Sequence, residues 1–401
     1  MAEWSKLPND ILLLIAKRLE TPRIDLLRFR SVCTSWRSSV PPRKPHWLKI
    51  PTYDTQVADH FYLSERKIYL IESRENPDQT TPPDCWFVKI REDKFGRKHL
   101  LRPLTNSKIT RSTAFQKVYL NCSKFQVHEW STEYVLQYTP KDKTCIDSAY
   151  HEERNLMVQK VAFMSLSPGS EDFVLLASGV PRNFAFLFRS STWEWTKIER
   201  YSYCYDVARF SERLFAVDEC RKTITIHPIS GVSTDTFCGE SFFNDCLLEV
   251  FLIKLNDNEL MLVHKHIQLY DSVPEDPTSP ENYLYCIMPN GKKLRFPIFT
   301  WENEWVSVKS LGEIVLFLDS NSHCSFYASV SNLSGCKGNC IVFSVPSRES
   351  MFLPGGNHQT GLNVYVADLQ THKSLPLEKS PGYFNLFQPP PKAFTYHYCW
   401  K

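Results

Sequence analysis

From Leu7 to Val40 apolar residues recur at helical spacing, whereas from about residue 60 onward they alternate or come in short bursts. In the first stretch, Leu7-Pro8-Asn9-Asp10-Ile11-Leu12-Leu13-Leu14-Ile15-Ala16 reads as the start of a helix. Pro8 suits a first turn, where a missing N–H costs nothing, and Asp10 places negative charge at the positive end of the helix dipole. Ile11, Ile15 and Leu19 then follow at i, i+4 and i+8 on one face. At about 100° per residue the unbroken run Ile11 to Ile15 surrounds the helix, so this turn is expected to be buried on two sides. Thr21-Pro22 is a second start signal, leading into Ile24, Leu26, Leu27 and Phe29, and a third segment carries Val32, Cys33, Trp36 and Val40 at helical spacing. A three-helix unit this small buries a poor fraction of its surface, and each Leu or Ile covered contributes about 1.5–3 kcal/mol. A partner is therefore expected to complete its core.

Residues 41–51 hold four prolines and cannot continue a helix, so a stiff connector is expected over 41–59. Beyond it, runs of four to seven residues rich in β-branched and aromatic types predict strands, among them Tyr69-Ile71, Cys85-Ile90, Tyr134-Tyr138, Phe173-Ala177, Phe184-Phe188, Leu214-Val217, Thr223-His227, Leu260-Val263, Tyr283-Met288, Glu313-Leu318, Ile341-Ser344 and Leu362-Ala367. Only Glu240 to Leu252 reads as a helix-length amphipathic exception. Many strands without long helices leave a sandwich pair, a large barrel or a propeller. The segments Asn183 to Ile198 and Tyr205 to Ile226 are each hairpins of roughly 20 residues, and two such hairpins give the ~45 residues of a four-stranded blade. The expected fold is thus mainly β with a small all-α module over 1–40, and a propeller-like domain of six or seven blades over 60–401. Gly-Gly doublets are too few for kelch repeats, and the chain has no Trp-Asp dipeptide.

Charge sharpens this division. Residues 1–49 hold ten Lys/Arg against four Asp/Glu, and the remainder 37 against 40, which leaves a basic helical start on a near-neutral body. A nucleic-acid binder would concentrate basic charge on its recognition domain, so no nucleic-acid partner is expected. The apolar run Ile11 to Ala16 is too short for a signal peptide or a membrane span, and the 13 cysteines show no framework spacing. A reducing compartment, nucleus or cytoplasm, follows as the expectation, with mostly buried free thiols.

Candidate chemistry is sparse. The chain has no nucleophile elbow, no His-Glu-x-x-His and no phosphate loop, and His151-Glu152-Glu153 is only a fragment of a metal motif. His264 and His266 alternate on one face of an expected strand and could ligate a metal, but packing or exposure is the simpler reading. Cys336 and Cys340 lack the further ligands a structural zinc needs. The acidic segment Asp271 to Glu281 reads as an insertion, and Trp193, Trp195, Trp301 and Trp305 as packing aromatics before interface anchors. No catalytic residue, cofactor or metal is expected.

Two resemblances join these readings. Leu7-Pro8-x-Asp10-Ile11-Leu12, Ile15, Leu19, Asp25-Leu26 and Arg28-Phe29-Arg30-x-Val32-Cys33-x-x-Trp36-Arg37 resemble the F-box. That resemblance implies a Skp adaptor as partner, with a cullin-based ubiquitin ligase behind it, and Leu7, Pro8, Ile11, Leu12, Ile15, Leu26, Phe29, Val32 and Trp36 divided between internal core and adaptor interface. The second runs through His99-Leu100-Leu101-x-Pro103-Leu104-Thr105, Val207-Ala208-x-Phe210, Trp305-Val306-x-Val308, Val315-Leu316-Phe317-Leu318 and Gly335-x-x-Gly338-Asn339-Cys340-Ile341-Val342-Phe343. It is similar to the domain that follows the F-box in plant proteins of the SKIP and KIB types, and implies a β-propeller that selects an unidentified target protein. Asp319, Ser344-Val345-Pro346 and Phe394 depart from that pattern and are expected to alter loops. A non-degradative scaffold, or a propeller enzyme or glycan binder with an incidental N-terminus, are the alternatives.

Overall fold

The computed structural model describes residues 7–18, 29, 32–39, 48–52, 60–74, 84–92, 98–105, 109, 116–120, 124–138, 158–166, 172–179, 184–198, 204–218, 222–231, 233–237, 245–268, 284–319, 325–333, 335–345, 364–388 and 394–398. Helix α1 (Asn9–Arg18) opens where the proline and the acidic first turn place it, with Leu12 N–H donating to the Pro8 carbonyl at 3.1 Å. Helix α2 (Thr34–Ser39) is shorter than the spacing suggested, because Val32 and Cys33 precede it. The start signal Thr21-Pro22 and Leu26 lie outside the described residues. Within the proline-rich stretch, Leu48–Pro51 forms strand β1.

The rest of the described chain is mostly strand. β7 (Val158–Ser165), β8 (Phe173–Gly179), β9 (Phe184–Arg189) and β10 (Glu194–Lys197) form an antiparallel meander. β11 (Cys204–Phe210), β12 (Arg213–Asp218), β13 (Lys222–Ile226) and β14 (Ser233–Phe237) form another. The two hairpins compared in sequence thus sit in separate four-strand meanders. Ala162, Leu176 and Leu187 of the first pack on Val207, Leu214 and Ile224 of the second, as sheets with apolar residues on both faces must.

Two long ribbons carry successive partner strands along one edge. In one, β2 (His60–Ser73) pairs along its length with β6 (Phe125–Tyr138), while β1 and β3 (Cys85–Glu92) lie one after the other along its other edge. A bulge between Ile68 and Tyr69 lets one strand serve both, since an extra residue bends the ladder. The sheet β10-β9-β8-β7-β6-β2-β1 curls until Trp195 Nε1 donates to the Pro51 carbonyl at 2.7 Å, enclosing Ile50, Phe61, Leu136, Leu175 and Phe188. In the other ribbon, β15 (Asp245–Asn256) pairs with β16 (Glu259–Gln268), whose other edge pairs antiparallel with β19 (Ile298–Trp301) at one end and β18 (Lys293–Phe296) at the other. The helix expected over Glu240 to Leu252 is therefore corrected, since its described part is strand. Val250 to Ile253 are buried without a break, and only a strand covered on both faces uses such a run.

The last sheet brings the chain back to its beginning. β21 (Ile314–Leu318) runs antiparallel to β22 (Phe326–Ser329) and parallel to β23 (Cys340–Ser344), followed by β24 (Val364–Asp368) and β25 (Lys373–Pro376). Ile68, Leu70 and Phe87 of β2 and β3 share a core with Phe317, Phe326 and Phe387. Phe87 N–H donates to the Leu386 carbonyl at 2.7 Å, just after helix α3 (Pro381–Asn385). Sheets early and late in the chain close on each other, leaving the helical module at one end of the sequence.

Candidate adaptor-binding surface

Around α1 successive residues turn by about 100°, so a helix with one buried stripe shows its other side to whatever lies outside. Leu12 and Ala16 form the buried stripe and pack on Phe29, with Leu7, Ile15 and Trp36 around them. The Phe29 and Trp36 rings meet at 4.6 Å between centroids. Leu14 lies about 200° from Leu12, and Ile11 and Leu13 flank it. These three are 59%, 39% and 40% exposed, and Val32 is 55% exposed. Burial on the second side, expected from the unbroken apolar run, is not supplied by the described residues of this chain.

The candidate residues thus separate by position. Ile11, Val32 and Pro8 face outward; Leu7, Ile15 and Trp36 are half-buried; Leu12 and Phe29 lie inside, where they can only hold the others in place. Leu26 lies outside the described residues. Leu13 and Leu14 join the outward residues: the unbroken apolar run Ile11 to Ile15 held the signal, although neither stands among the residues that carry the resemblance. Arg37 is exposed in the last turn of α2.

The β domain offers buried charge, but in pairs that join strands. Lys89 Nζ on β3 lies 2.8 Å from Glu133 of β6 and 3.9 Å from Asp319 beyond β21. Lys160 of β7 bonds Asp206 of β11 at 2.9 Å, and Asp206 also accepts from Leu252 N–H of β15 at 2.8 Å. Lys265 reaches Glu249 across the second ribbon at 2.6 Å. These residues are largely withdrawn from water, where an ion pair is specific in its partners rather than free to react. Asp319, a departure expected to alter a loop, is instead buried and faces the buried Lys89 ammonium, while Ser344 is buried at the end of the strand expected there.

His264 and His266 are both buried on β16, with ring centroids 5.9 Å apart. Among the described residues no three His, Cys, Asp or Glu side chains gather closely enough to hold a metal ion. Burial, followed by the nearby Asp206 and Asp218 carboxylates, pushes the Cys204 thiol far up, and burial raises Cys286 to about 12. Both are poor nucleophiles at neutral pH. Trp195, Trp301 and Trp305 pack against core residues, and Trp193 stands 43% exposed in the β9–β10 turn.

Comparison with known proteins divides the chain in a similar manner. Residues 4–42 match the F-box-like family, and residues 60–366 match the KIB1-4 beta-propeller family. F-box protein SKIP23 of Arabidopsis thaliana is 32% identical over 99% of this chain and 97% of its own length. F-box protein At2g17036 of the same plant is 30% identical over 98% of this chain and 95% of its own.

Proposed function

Since the chain belongs to the F-box proteins with a KIB1-4 β-propeller, we propose that it is the substrate-recognition subunit of a Skp–cullin–F-box ubiquitin ligase, acting in the nucleus or cytoplasm. The observation that carries this reading is the outward apolar side of α1, with Ile11, Leu13 and Leu14 uncovered above a core that Leu12, Ala16 and Phe29 already fill. Covering Leu14 alone is worth about 1.5–3 kcal/mol, and several such side chains together suffice to hold a partner helix.

On this reading the protein's mechanism is positioning. The F-box module fixes the chain to the adaptor, and the closed β domain holds a target protein within reach of a conjugating enzyme that supplies the covalent chemistry. Raising the local concentration of a target lysine is what such an arrangement contributes to rate. The paired, buried charges of the β domain support a receptor rather than an enzyme, because they serve to join strands.

The test is co-purification with a Skp adaptor. The intact chain is expected to retain the adaptor, and Leu13→Glu/Leu14→Glu to lose it while its β domain keeps the same thermal midpoint. A truncated control begins before Leu48, since removing β1 would open the edge of β2. Retention by the truncated control, or equal retention by the double variant, would sink the proposal. Accumulation of a bound target under proteasome inhibition would separate degradation from a scaffolding role.

A further inference from the structure

Cys85, Cys336 and Cys340 lie near one another where the early and late sheets close. Cys85 is the first residue of β3 and is buried. Its Sγ donates at 3.8 Å to the carbonyl of Asn332, 247 positions away in the connection between β22 and β23. Further along that connection, Cys336 is half-buried and packs against the core that holds Cys85, Leu333, Cys340 and Tyr383. Cys340 opens β23 and is buried, and its Sγ donates to the Gly338 carbonyl at 3.3 Å. These residues do not converge as metal ligands would, and none of them is in a disulfide. Burial, followed by the neighbouring Cys85 and Cys340, pushes the Cys336 thiol up to about 12.

Both sides of this meeting are fixed. Cys85 pairs with Glu72 in the β2–β3 ladder, and the strand is tied down again where Phe87 N–H donates to the Leu386 carbonyl at 2.7 Å. On the other side, Tyr383 Oη of α3 accepts from Lys337 N–H at 3.1 Å and donates to the Lys337 carbonyl at 2.6 Å. Gly335 has a φ of 71°, which glycine adopts without strain, and a first side-chain carbon at Gly382 would collide with the Gly335 carbonyl oxygen. Cys336 is therefore held between two residues that are each fitted to α3. The Cys340 thiol is turned to the Gly338 carbonyl and the Tyr383 hydroxyl, which leaves Cys85 as the partner for Cys336. A disulfide needs closely set Cβ atoms, so a rigid frame that keeps two thiols adjacent favours one pairing over others.

We propose that Cys85 and Cys336 are an oxidant-sensitive pair, which a peroxide converts to a disulfide that fastens the first strands of the β domain to the last. The inference does not depend on the adaptor contact. Cys336 opens the reaction, because it is the most exposed of the three thiols. Its sulfur attacks the peroxide O–O bond, forming an S–O bond and expelling hydroxide, which takes the thiol proton and becomes water. The Cys85 sulfur then displaces the sulfenic oxygen: the S–S bond forms, the S–O bond breaks, and the second thiol proton leaves with that oxygen as water. Two thiols lose two electrons in all, and one peroxide is reduced to two waters. Because the Cys336 thiol stays protonated at neutral pH, the first step is slow there and gains about tenfold for each unit of pH. The pair thus registers sustained rather than brief exposure to oxidant, and small thiols reverse it by exchange.

The experiment holds the full chain, first reduced, with hydrogen peroxide at pH 7 and at pH 8, then alkylates it under denaturing conditions and digests it without reduction. Mass spectrometry is expected to find the peptides of Cys85 and Cys336 joined, with an initial rate about tenfold higher at the upper pH. Cys204 and Cys286, both buried, should remain alkylatable and serve as internal controls. The oxidised chain should melt several degrees higher, because a cross-link between distant residues constrains the opened chain, and dithiothreitol should restore the parent midpoint. Cys336→Ser should lose both the cross-link and the shift, and Cys340→Ala should keep both. An unchanged midpoint for reduced Cys336→Ser guards against a fold defect in that variant. Absence of a cross-link, a bridge between Cys336 and Cys340, oxidation that stops at a sulfinic acid on Cys336, or a cross-link that leaves the midpoint unmoved would overturn the assignment.

Discussion

Asp206 shows how much one buried carboxylate can be asked to do. Its oxygens accept from Lys160, Leu252 N–H and Val207 N–H, and so link β7, β11 and β15. Removing one partner of a buried pair leaves the other charge stranded, at a cost of about 3–5 kcal/mol. Asp206→Ala is therefore expected to lower stability by that amount, read from urea denaturation followed by intrinsic fluorescence. A second residue-scale expectation concerns thiols. Burial raises the pKa values of Cys204 and Cys286, which removes thiolate at neutral pH. Both should resist iodoacetamide at pH 8 in the native protein and react once it is unfolded, as peptide mass spectrometry would show. Asp319 adds a lesson at this scale: in sequence it was a departure within an expected loop, yet it is buried opposite Lys89, a residue more than 200 positions earlier.

At the scale of the element, α1 has two sides with different work. Leu12 lies in the core and Leu14 outside it, 1% and 59% exposed respectively. Leu12→Ala should destabilise the helical module by about 2–5 kcal/mol, because a cavity remains where the side chain was. Leu14→Glu should leave helix content unchanged by circular dichroism and lower adaptor affinity by tenfold or more. If Leu14→Glu binds as the parent does, the outward side of α1 is not the contact. The long ribbons belong to this scale too. Their strands run ten residues or more, and a bulge in each ladder accompanies the sharing of one strand by two successive partners. Nothing in the alternation of apolar residues announces such sharing, which is why Glu240 to Leu252 read as a helix: a strand buried on both faces loses its period of two.

For the whole molecule the decisive contact is the one between early and late strands. Phe87, Phe317 and Phe326 pack with centroids 4.6–5.5 Å apart, and Trp130 Nε1 donates to the Tyr327 carbonyl at 2.7 Å. Phe317→Ala should cost about 3–5 kcal/mol. Since that residue joins sheets from both ends of the β domain, hydrogen exchange should rise together in β2–β3 and β21–β23, while adaptor binding stays intact. Exchange confined to β21–β23 would mean that the two ends are not energetically joined. The pairing of β17 (Leu284–Ile287) with β25 depends on the same closure principle, because the two lie about ninety residues apart and meet in a parallel bridge.

What the sequence determined by itself was whatever depends on neighbours along the chain. Proline and an acidic first turn started α1, short β-branched and aromatic runs marked the strands, and the change of period near residue 60 separated helical from β grammar. The F-box resemblance was legible because its signature is nearly continuous. The tertiary structure alone decided which apolar residues of α1 remain uncovered, which strands share a ribbon, which charges meet in the core, and that Cys85 and Cys336 become neighbours. Those facts depend on pairing between residues far apart in sequence. Chain connectivity leaves such pairings open, and only the burial of two-faced apolar sheets against one another selects among them.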